Sequence, residues 1–209
     1  MSRALIVAIV VAGVLAGIIA AHFFRPAGDS VPQLEQAVVF QEPRPLPEAE
    51  LAGPRGAHFG TTSLAGHWTF IFFGFVNCPD ICPTTLATLA AVEKSLADLP
   101  PASRPAVAFV SVDPGRDTPE VLAQYVAHFD ASFEGVTGST AAIEAWTRAL
   151  GVAVIIGPAS AEGSYSVDHS AAIFLVDPEA RAAALFGTPH EAGAIARDYR
   201  RIVAARKSG

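Results

Sequence analysis

Cysteine is scarce in this chain of 209 residues, which contains only Cys78 and Cys82. This low count excludes a framework of several disulfides, and it excludes zinc sites built from three or four thiolates. A single disulfide between these two residues would close a very short loop, which constrains the unfolded chain little and so adds little stability. We therefore favour redox or metal chemistry for the pair over a purely structural bridge.

Basic residues are also few. The chain has 14 Lys and Arg against 20 Asp and Glu, which gives a formal net charge of −6 at pH 7. A surface with this excess of negative charge repels phosphate backbones. Nucleic acid is therefore excluded as a partner.

Only one apolar run approaches the length of a membrane span. Residues 4–21 carry no charged side chain, and a helix needs about 20 such residues to cross a bilayer. The preceding Arg3 favours a short cytoplasmic N-terminus, residues 1–3, and an anchor, residues 4–21, in the inner (cytoplasmic) membrane. The rest of the chain would then lie in the periplasm or an equivalent oxidising compartment. A cleaved signal peptide is the alternative. Residues 22–46 are predicted to be a linker and residues 47–209 the folded domain.

Hydrophobic periodicity within the domain predicts an α/β fold. The uncharged residues 68–76 are typical of a strand buried on both faces, and the other predicted strands are 107–112, 152–156, 171–176 and 182–186, with a hairpin or edge strands within 46–59. Helices are predicted between Pro83 and Pro100, from Thr118 to about residue 129, from Ser139 to Gly151, and from Thr188 to about residue 206. This order indicates a thioredoxin-like fold, in which helices flank a central mixed sheet.

The two cysteines directly follow the strand at 68–76, at the sheet edge where α/β proteins bind ligands. Pro79 and Pro83 lack an amide hydrogen, so a helix is predicted to begin at or just after the cysteine loop. The positive end of that helix is expected to lower the pKa of both thiols and make them better ligands. Residues four apart face the same side of a first turn, which suits two sulfurs that bind one ion.

Two thiolates leave a metal site short of ligands, and His169 is the best candidate for a third donor. If the strand at 171–176 runs antiparallel to the strand at 68–76, His169 lies beside the cysteine loop; a packed or surface histidine is the alternative. Asp113 ends the strand at 107–112 at the same edge, either as a turn residue or as an acceptor that orients His169 or biases the charge at the metal.

Two sulfurs and one imidazole nitrogen fit soft or borderline metals, namely Cu(I), Cu(II) or Zn(II). Structural zinc normally has four protein ligands, and Mg and Ca prefer oxygen. One copper ion per domain, as Cu(I) or Cu(II), is therefore the favoured occupant.

Three motifs carry a resemblance to a known family. Phe-Gly-Phe-Val-Asn-Cys-Pro-Asp-Ile-Cys-Pro (73–83), Ser-Val-Asp-Pro-Gly-Arg-Asp-Thr-Pro (111–119) and Val-Asp-His-Ser-Ala (167–171) are similar, in this order, to motifs of the Sco/SenC family. The resemblance implies a thioredoxin-like fold and a copper site formed by Cys78, Cys82 and His169, and it places Asp113 in the second motif.

The same resemblance implies a role in assembling the dinuclear copper centre of cytochrome c oxidase subunit II. The expected function is a metallochaperone, not an enzyme, that delivers copper to that subunit after receiving it from a copper-donor protein. A thiol-disulfide reductase that keeps the cysteines of that subunit reduced, with Cys78 and Cys82 as its redox-active pair, is the alternative. Peroxide reduction is disfavoured, because Phe75 stands where peroxiredoxin-like sequences have a Thr three residues before the reactive Cys.

Overall fold

The computed structural model describes residues 34–158, 160 and 165–207, together with residues 2, 3, 12–15 and 17. The chain divides into two units, residues 1–33 and 34–209, and the second carries the fold described below. Most of the predicted anchor, and the first part of the predicted linker, lie outside the described residues. Among those that are described, no helix is both long enough and apolar enough to span a bilayer.

The described part of residues 34–207 forms ten strands and five α-helices. In chain order they are β1 (Ala37–Pro45), β2 (Leu51–Ala52), β3 (His58–Phe59), α1 (Thr61–Leu64), β4 (Thr69–Gly74), α2 (Ile81–Ser95), β5 (Ala106–Ser111), α3 (Pro119–Ala127), β6 (Glu134–Val136), α4 (Thr140–Leu150), β7 (Val154–Ile156), β8 (Val167–His169), β9 (Ile173–Val176), β10 (Arg181–Phe186) and α5 (Ala192–Lys207).

Six strands form the central sheet in the order β1-β10-β9-β4-β5-β6. β4, β5 and β6 are parallel, whereas β9 is antiparallel to both β4 and β10, and β1 is antiparallel to β10. β2 pairs with β3, and β7 pairs with β8, in two small antiparallel sheets. The prediction of a central mixed sheet flanked by helices is confirmed.

β4 is buried along its whole length and supplies both layers of the core. Successive side chains of a strand point to opposite faces of the sheet. Phe70 and Phe72 accordingly pack with residues of α2, α3 and α5, while Ile71 and Phe73 pack with residues of α1 and α4. This two-faced burial fixes the end of β4, where the cysteine loop begins.

Two predicted helix starts and one predicted helix end agree with the structure, whereas the prediction was wrong for the last helix, which begins at Ala192 and not at Thr188. Thr118 caps α3 by accepting a hydrogen bond from the Val121 amide, and Ser139 caps α4 by accepting one from the Ala142 amide. Gly151 ends α4 with a φ of 73°, a left-handed conformation that glycine adopts without strain.

The folded domain begins earlier than residue 47, because β1 lies within the segment 22–46 that was predicted to be a linker. The buried carboxylate of Asp198 in α5 accepts hydrogen bonds from the backbone amides of Glu35, Gln36 and Ala37, and so holds the start of β1 against that helix. The partner that orders this polar segment lies more than 160 residues away in the sequence, so local composition does not reveal it.

Two strand assignments also differ from the prediction. The third parallel strand of the central sheet is the short β6, and the predicted strand at 152–156 instead becomes β7, which pairs with β8 outside the central sheet. β6 has only three residues and contains Gly135, so it lacks the apolar run that identifies a buried strand. The condition for placing His169 beside the cysteine loop is met, because β9 is antiparallel to β4, with Ile173 opposite Phe72.

Candidate metal centre

The two cysteines lie on the turn that connects β4 to α2. Cys78 precedes α2 and is half-buried, whereas Cys82 is the second residue of the helix and is fully buried. The Cys82 amide lies 3.4 Å from Cys78 Sγ and donates to it, as an unpaired amide at a helix N-terminus does. Both cysteines carry free thiols, which is the state that binds a metal.

His169 lies near the cysteines in space but belongs to a different segment of the chain. It ends β8, just before β9, and the antiparallel pairing of β9 with β4 returns this segment to the edge where β4 ends. Its Nε2 lies 3.3 Å from Cys82 Sγ, and its ring packs against the rings of Phe72 and Phe75 at centroid distances of 6.1 and 5.9 Å.

The tautomer of His169 follows from its second hydrogen bond. Nδ1 lies 3.0 Å from the Ser170 carbonyl oxygen, and because a carbonyl oxygen only accepts, Nδ1 carries the proton. Burial also lowers the pKa of His169, which favours a neutral ring. The lone pair of Nε2 therefore faces the sulfurs, as it does in a metal-ligating histidine.

The donor atoms of Cys78, Cys82 and His169 all lie within 4.8 Å of one another. Two ligand bonds of about 2.0–2.3 Å span at most about 4.6 Å, so a small inward movement of the side chains brings all three donor atoms into contact with one ion. The donor set, two sulfurs and one imidazole, suits copper or zinc and is a poor match for oxygen-preferring ions. The residues therefore fit a bound copper ion.

The electrostatics of Cys82 differ from the prediction. The helix N-terminus was expected to lower the pKa of both thiols, but burial, reinforced by a hydrogen bond with Cys78, raises the pKa of Cys82. The prediction was wrong for this residue because its sulfur lies on the floor of the site, where desolvation outweighs the partial charge of the helix end. A metal ion that binds there must displace the proton of Cys82.

Asp113 is buried, and its carboxylate accepts hydrogen bonds from two partners, neither of which is Cys78, Cys82 or His169. The Arg116 Nε donates to one carboxylate oxygen, and the Tyr165 hydroxyl donates to the other at 2.5 Å. Its predicted role in orienting His169 or biasing the charge at the metal stays a prediction.

Asp117 and Gly74 also shape the site, although neither residue is a metal-ligand candidate in the sequence. The buried Asp117 carboxylate accepts hydrogen bonds from the Ser111 hydroxyl at 2.6 Å and from the Val76 amide at 3.1 Å, which secures the loop that leads to Cys78. Gly74 leaves the space that Cys82 Sγ occupies. The signal for both was present in the first two motifs, which contain these residues.

A shallow cleft of about 280 Å³ opens the site to solvent. Its lining residues are Phe75, Cys78, Pro79, Asp80, Ile81, Val167, Asp168 and His169. Cys78 and His169 line this cleft whereas Cys82 is buried and does not, so an approaching molecule meets Cys78 and His169 before Cys82.

The fold and the site together define a class of protein, a thioredoxin-like domain in which two thiols and one imidazole form a candidate metal site. The family model described as SCO1/SenC matches residues 46–204. The chain therefore belongs to the SCO1/SenC family.

Two relatives illustrate the similarity in sequence. A protein of Stutzerimonas stutzeri named putative copper-binding protein is 39% identical over 151 residues, which cover 70% of this chain and 72% of that protein. The human mitochondrial protein SCO2 homolog is 34% identical over 175 residues, which cover 84% of this chain. The match spans 64% of the length of the human protein.

Solved structures show the same architecture. Yeast Sco1 with copper bound is 30% identical with a TM-score of 0.70, and the match covers 80% of this chain and 91% of that one. ScoI of Arabidopsis thaliana with copper bound is 29% identical with a TM-score of 0.68, covering 80% and 99%. Apo Sco1 of Thermus thermophilus is 32% identical with a TM-score of 0.71, covering 82% and 99%.

Proposed function

We propose that this protein is a copper metallochaperone that binds one copper ion through Cys78, Cys82 and His169 and delivers it to the dinuclear copper centre of cytochrome c oxidase subunit II. The observation that carries the proposal is the convergence of two sulfurs and one imidazole nitrogen within 4.8 Å. The copper-bound structures of yeast and Arabidopsis relatives support copper as the ion. The family resemblance supports the oxidase subunit as the recipient, with a separate protein as the copper donor.

Residues 4–21 would anchor the protein in the inner membrane, with the domain in the periplasm or an equivalent oxidising compartment. In this arrangement copper is cargo and the anchor keeps the domain near a membrane-bound recipient. The negative net charge agrees with a protein partner and with no nucleic acid.

The geometry of the site suits both tight binding and release of the copper ion. Cys82 is buried and its thiol pKa is raised, so a copper ion that binds there takes the place of its proton. Cys78 is half-buried at the mouth of the cleft, where a thiol of the recipient can approach the ion. Copper would thus pass by stepwise ligand exchange that begins at the exposed side of the site.

Titration of the reduced domain with copper tests the proposal. We expect saturation near one equivalent and, with Cu(II), an intense visible band from thiolate-to-copper charge transfer. Cys82→Ala and His169→Ala should each weaken binding by more than the roughly 10–100-fold that the loss of an outer hydrogen-bond partner costs. His128→Ala, which removes an exposed histidine of the same domain, is the matched control and should bind as the wild type does.

A thiol-disulfide reductase is the second candidate, and the unequal burial of the two cysteines favours it. Cys78 is accessible for attack on a disulfide of a partner, while the buried Cys82 lies close enough to resolve the mixed disulfide. This activity needs only the two cysteines. A His169→Ala variant that loses copper binding but keeps full reductase activity would identify thiol reduction as a separate function.

A further inference from the structure

Asp113, Arg116 and Tyr165 form a closed cluster near the start of β8. Arg116 Nε pairs with Asp113, and the Arg116 guanidinium lies 3.8 Å from the centre of the Tyr165 ring. The Tyr165 hydroxyl donates a hydrogen bond to the Asp113 carboxylate at 2.5 Å, and Arg116 Nη1 lies 3.4 Å from the Tyr165 carbonyl oxygen. The hydrogen bond to Asp113 raises the pKa of Tyr165, so its hydroxyl remains a donor. Each member of the cluster thus contacts both others.

This cluster connects two segments that are distant in sequence. Asp113 and Arg116 lie on the loop that follows β5, whereas Tyr165 lies just before β8, the strand that ends at His169. The connection is therefore between the rigid central sheet and the strand that carries the imidazole.

The β7–β8 hairpin is well bonded within itself. Besides the ladder that places Val154 opposite His169, the Ser170 amide donates to the Ala153 carbonyl oxygen, and the Ala153 amide donates to the Ser170 hydroxyl oxygen, each at 3.0 Å. These bonds join the two strands of the hairpin to each other. They do not attach it to the central sheet, and a two-stranded sheet alone is marginally stable in water.

Packing beside the hairpin is incomplete. A cavity of about 550 Å³ lies between the hairpin, which contributes Val154 and Ile156, and the β5 end with α4, which contribute Asp113 and Ile143. Tyr165 lines the same cavity. Val167 packs into the core at the start of β8, and beside this open space the polar cluster adds a second attachment of β8 to the domain.

We propose that Tyr165 and Arg116 are positioning residues that hold His169 within reach of Cys78 and Cys82. They act through β8 and do not touch the metal. Asp113 is the fixed point to which both attach, so it acts on His169 through Tyr165 and not by direct contact. This inference rests on the proposed copper function, because its consequence is a change in copper affinity.

The test uses Tyr165→Phe, which removes one hydroxyl and keeps the ring on which Arg116 stacks. We expect Cu(II) affinity to fall about 10–100-fold, as it does when a metal ligand loses its orienting partner. In a His169→Ala background the same change should leave copper affinity unaltered, because there is no imidazole left to position. Tyr199→Phe is the matched control, since it removes a buried hydroxyl that bonds to the Ser103 carbonyl oxygen away from the site.

A second measurement does not need copper. In the metal-free protein, nuclear Overhauser contacts between the rings of His169 and Phe75 should weaken in Tyr165→Phe and persist in Tyr199→Phe. If wild-type protein fails to bind copper but this contrast holds, the proposed function fails and the positioning role stands.

Equal effects of Tyr165→Phe in the presence and absence of His169, or unchanged affinity with unchanged ring contacts, would overturn the positioning role. Arg116→Lys provides a second variant if Tyr165→Phe does not fold. It keeps the charge beside Asp113 but loses the planar group that stacks on Tyr165, and the same coupling to His169 is expected.

Discussion

Cys82 occupies the space that a side chain at position 74 would need. A Cβ atom built on Gly74 would lie 2.7 Å from Cys82 Sγ and 2.6 Å from the Phe109 ring, closer than atoms in contact allow. Because Gly74 has no side chain, Cys82 Sγ can occupy a buried position at the end of β4.

Gly74→Ala should therefore displace Cys82 and loosen the metal site. We expect a loss of about 1–3 kcal/mol in the free energy of unfolding, which is typical of overpacking a filled core, together with weaker copper binding. Urea denaturation and copper titration measure the two effects. Gly187→Ala is the control, because a Cβ at Gly187 would meet no atom within 4 Å. Similar behaviour of the two variants would contradict this view of Gly74.

Copper affinity should increase with pH through the neutral range. Burial raises the pKa of Cys82, so its thiol is protonated in the metal-free protein and binding must release that proton. Burial lowers the pKa of His169, so the imidazole is already neutral at pH 7 and releases none. Affinity should rise about tenfold per pH unit for each proton released. Competition with a chelator of known pH dependence measures this slope, and a flat profile between pH 6.5 and 8 would disagree with the buried thiol.

Asp117 should stabilise both the folded protein and the conformation of the loop that leads to Cys78. Asp117→Ala removes the acceptor of the Ser111 hydroxyl and the Val76 amide, and buried groups left without partners cost about 1–3 kcal/mol. Asp117→Asn keeps one acceptor oxygen and should cost less. Unfolding in urea compares the two variants; an alanine variant as stable as the wild type would show that the loop does not depend on this carboxylate.

The attachment of β1 should depend on Asp198. Its buried carboxylate accepts hydrogen bonds from three successive backbone amides, so Asp198→Ala should cost about 3 kcal/mol and increase hydrogen exchange at the amides of residues 35–37. Asp98→Ala is the contrast, because Asp98 pairs with Arg200 at the exposed surface, where ion pairs add little. Exchange rates at residues 35–37 that are equal in the two variants would argue against the anchoring role.

The sequence predicts those parts of this fold that are encoded locally. Thr118, Ser139 and Gly151 mark helix ends through their own side chains or backbone freedom, and the uncharged run at 68–76 identifies the central strand. The sequence also predicts Cys78, Cys82 and His169 as metal ligands, because their residue types and motifs are typical of metal chemistry, and the structure brings these three side chains together. Their convergence then follows from the antiparallel pairing of β9 with β4.

The features that escaped prediction depend on distant partners. β1 is ordered by Asp198, the loop before Cys78 is held by Asp117, and the pKa of Cys82 is set by its burial. Each of these effects arises only when the chain has folded, so neither composition nor periodicity predicts it. The helix N-terminus at Cys82 was visible in the sequence, but the desolvation that outweighs it was not.

X-ray absorption of the copper-loaded domain tests the central claim most directly, because it identifies the atoms bonded to the metal. We predict two sulfur neighbours and one imidazole nitrogen, with the scattering of the imidazole ring lost in His169→Ala and retained in His128→Ala. A spectrum with sulfur neighbours alone, or with imidazole scattering that persists in His169→Ala, would contradict the assignment of His169 as the third ligand.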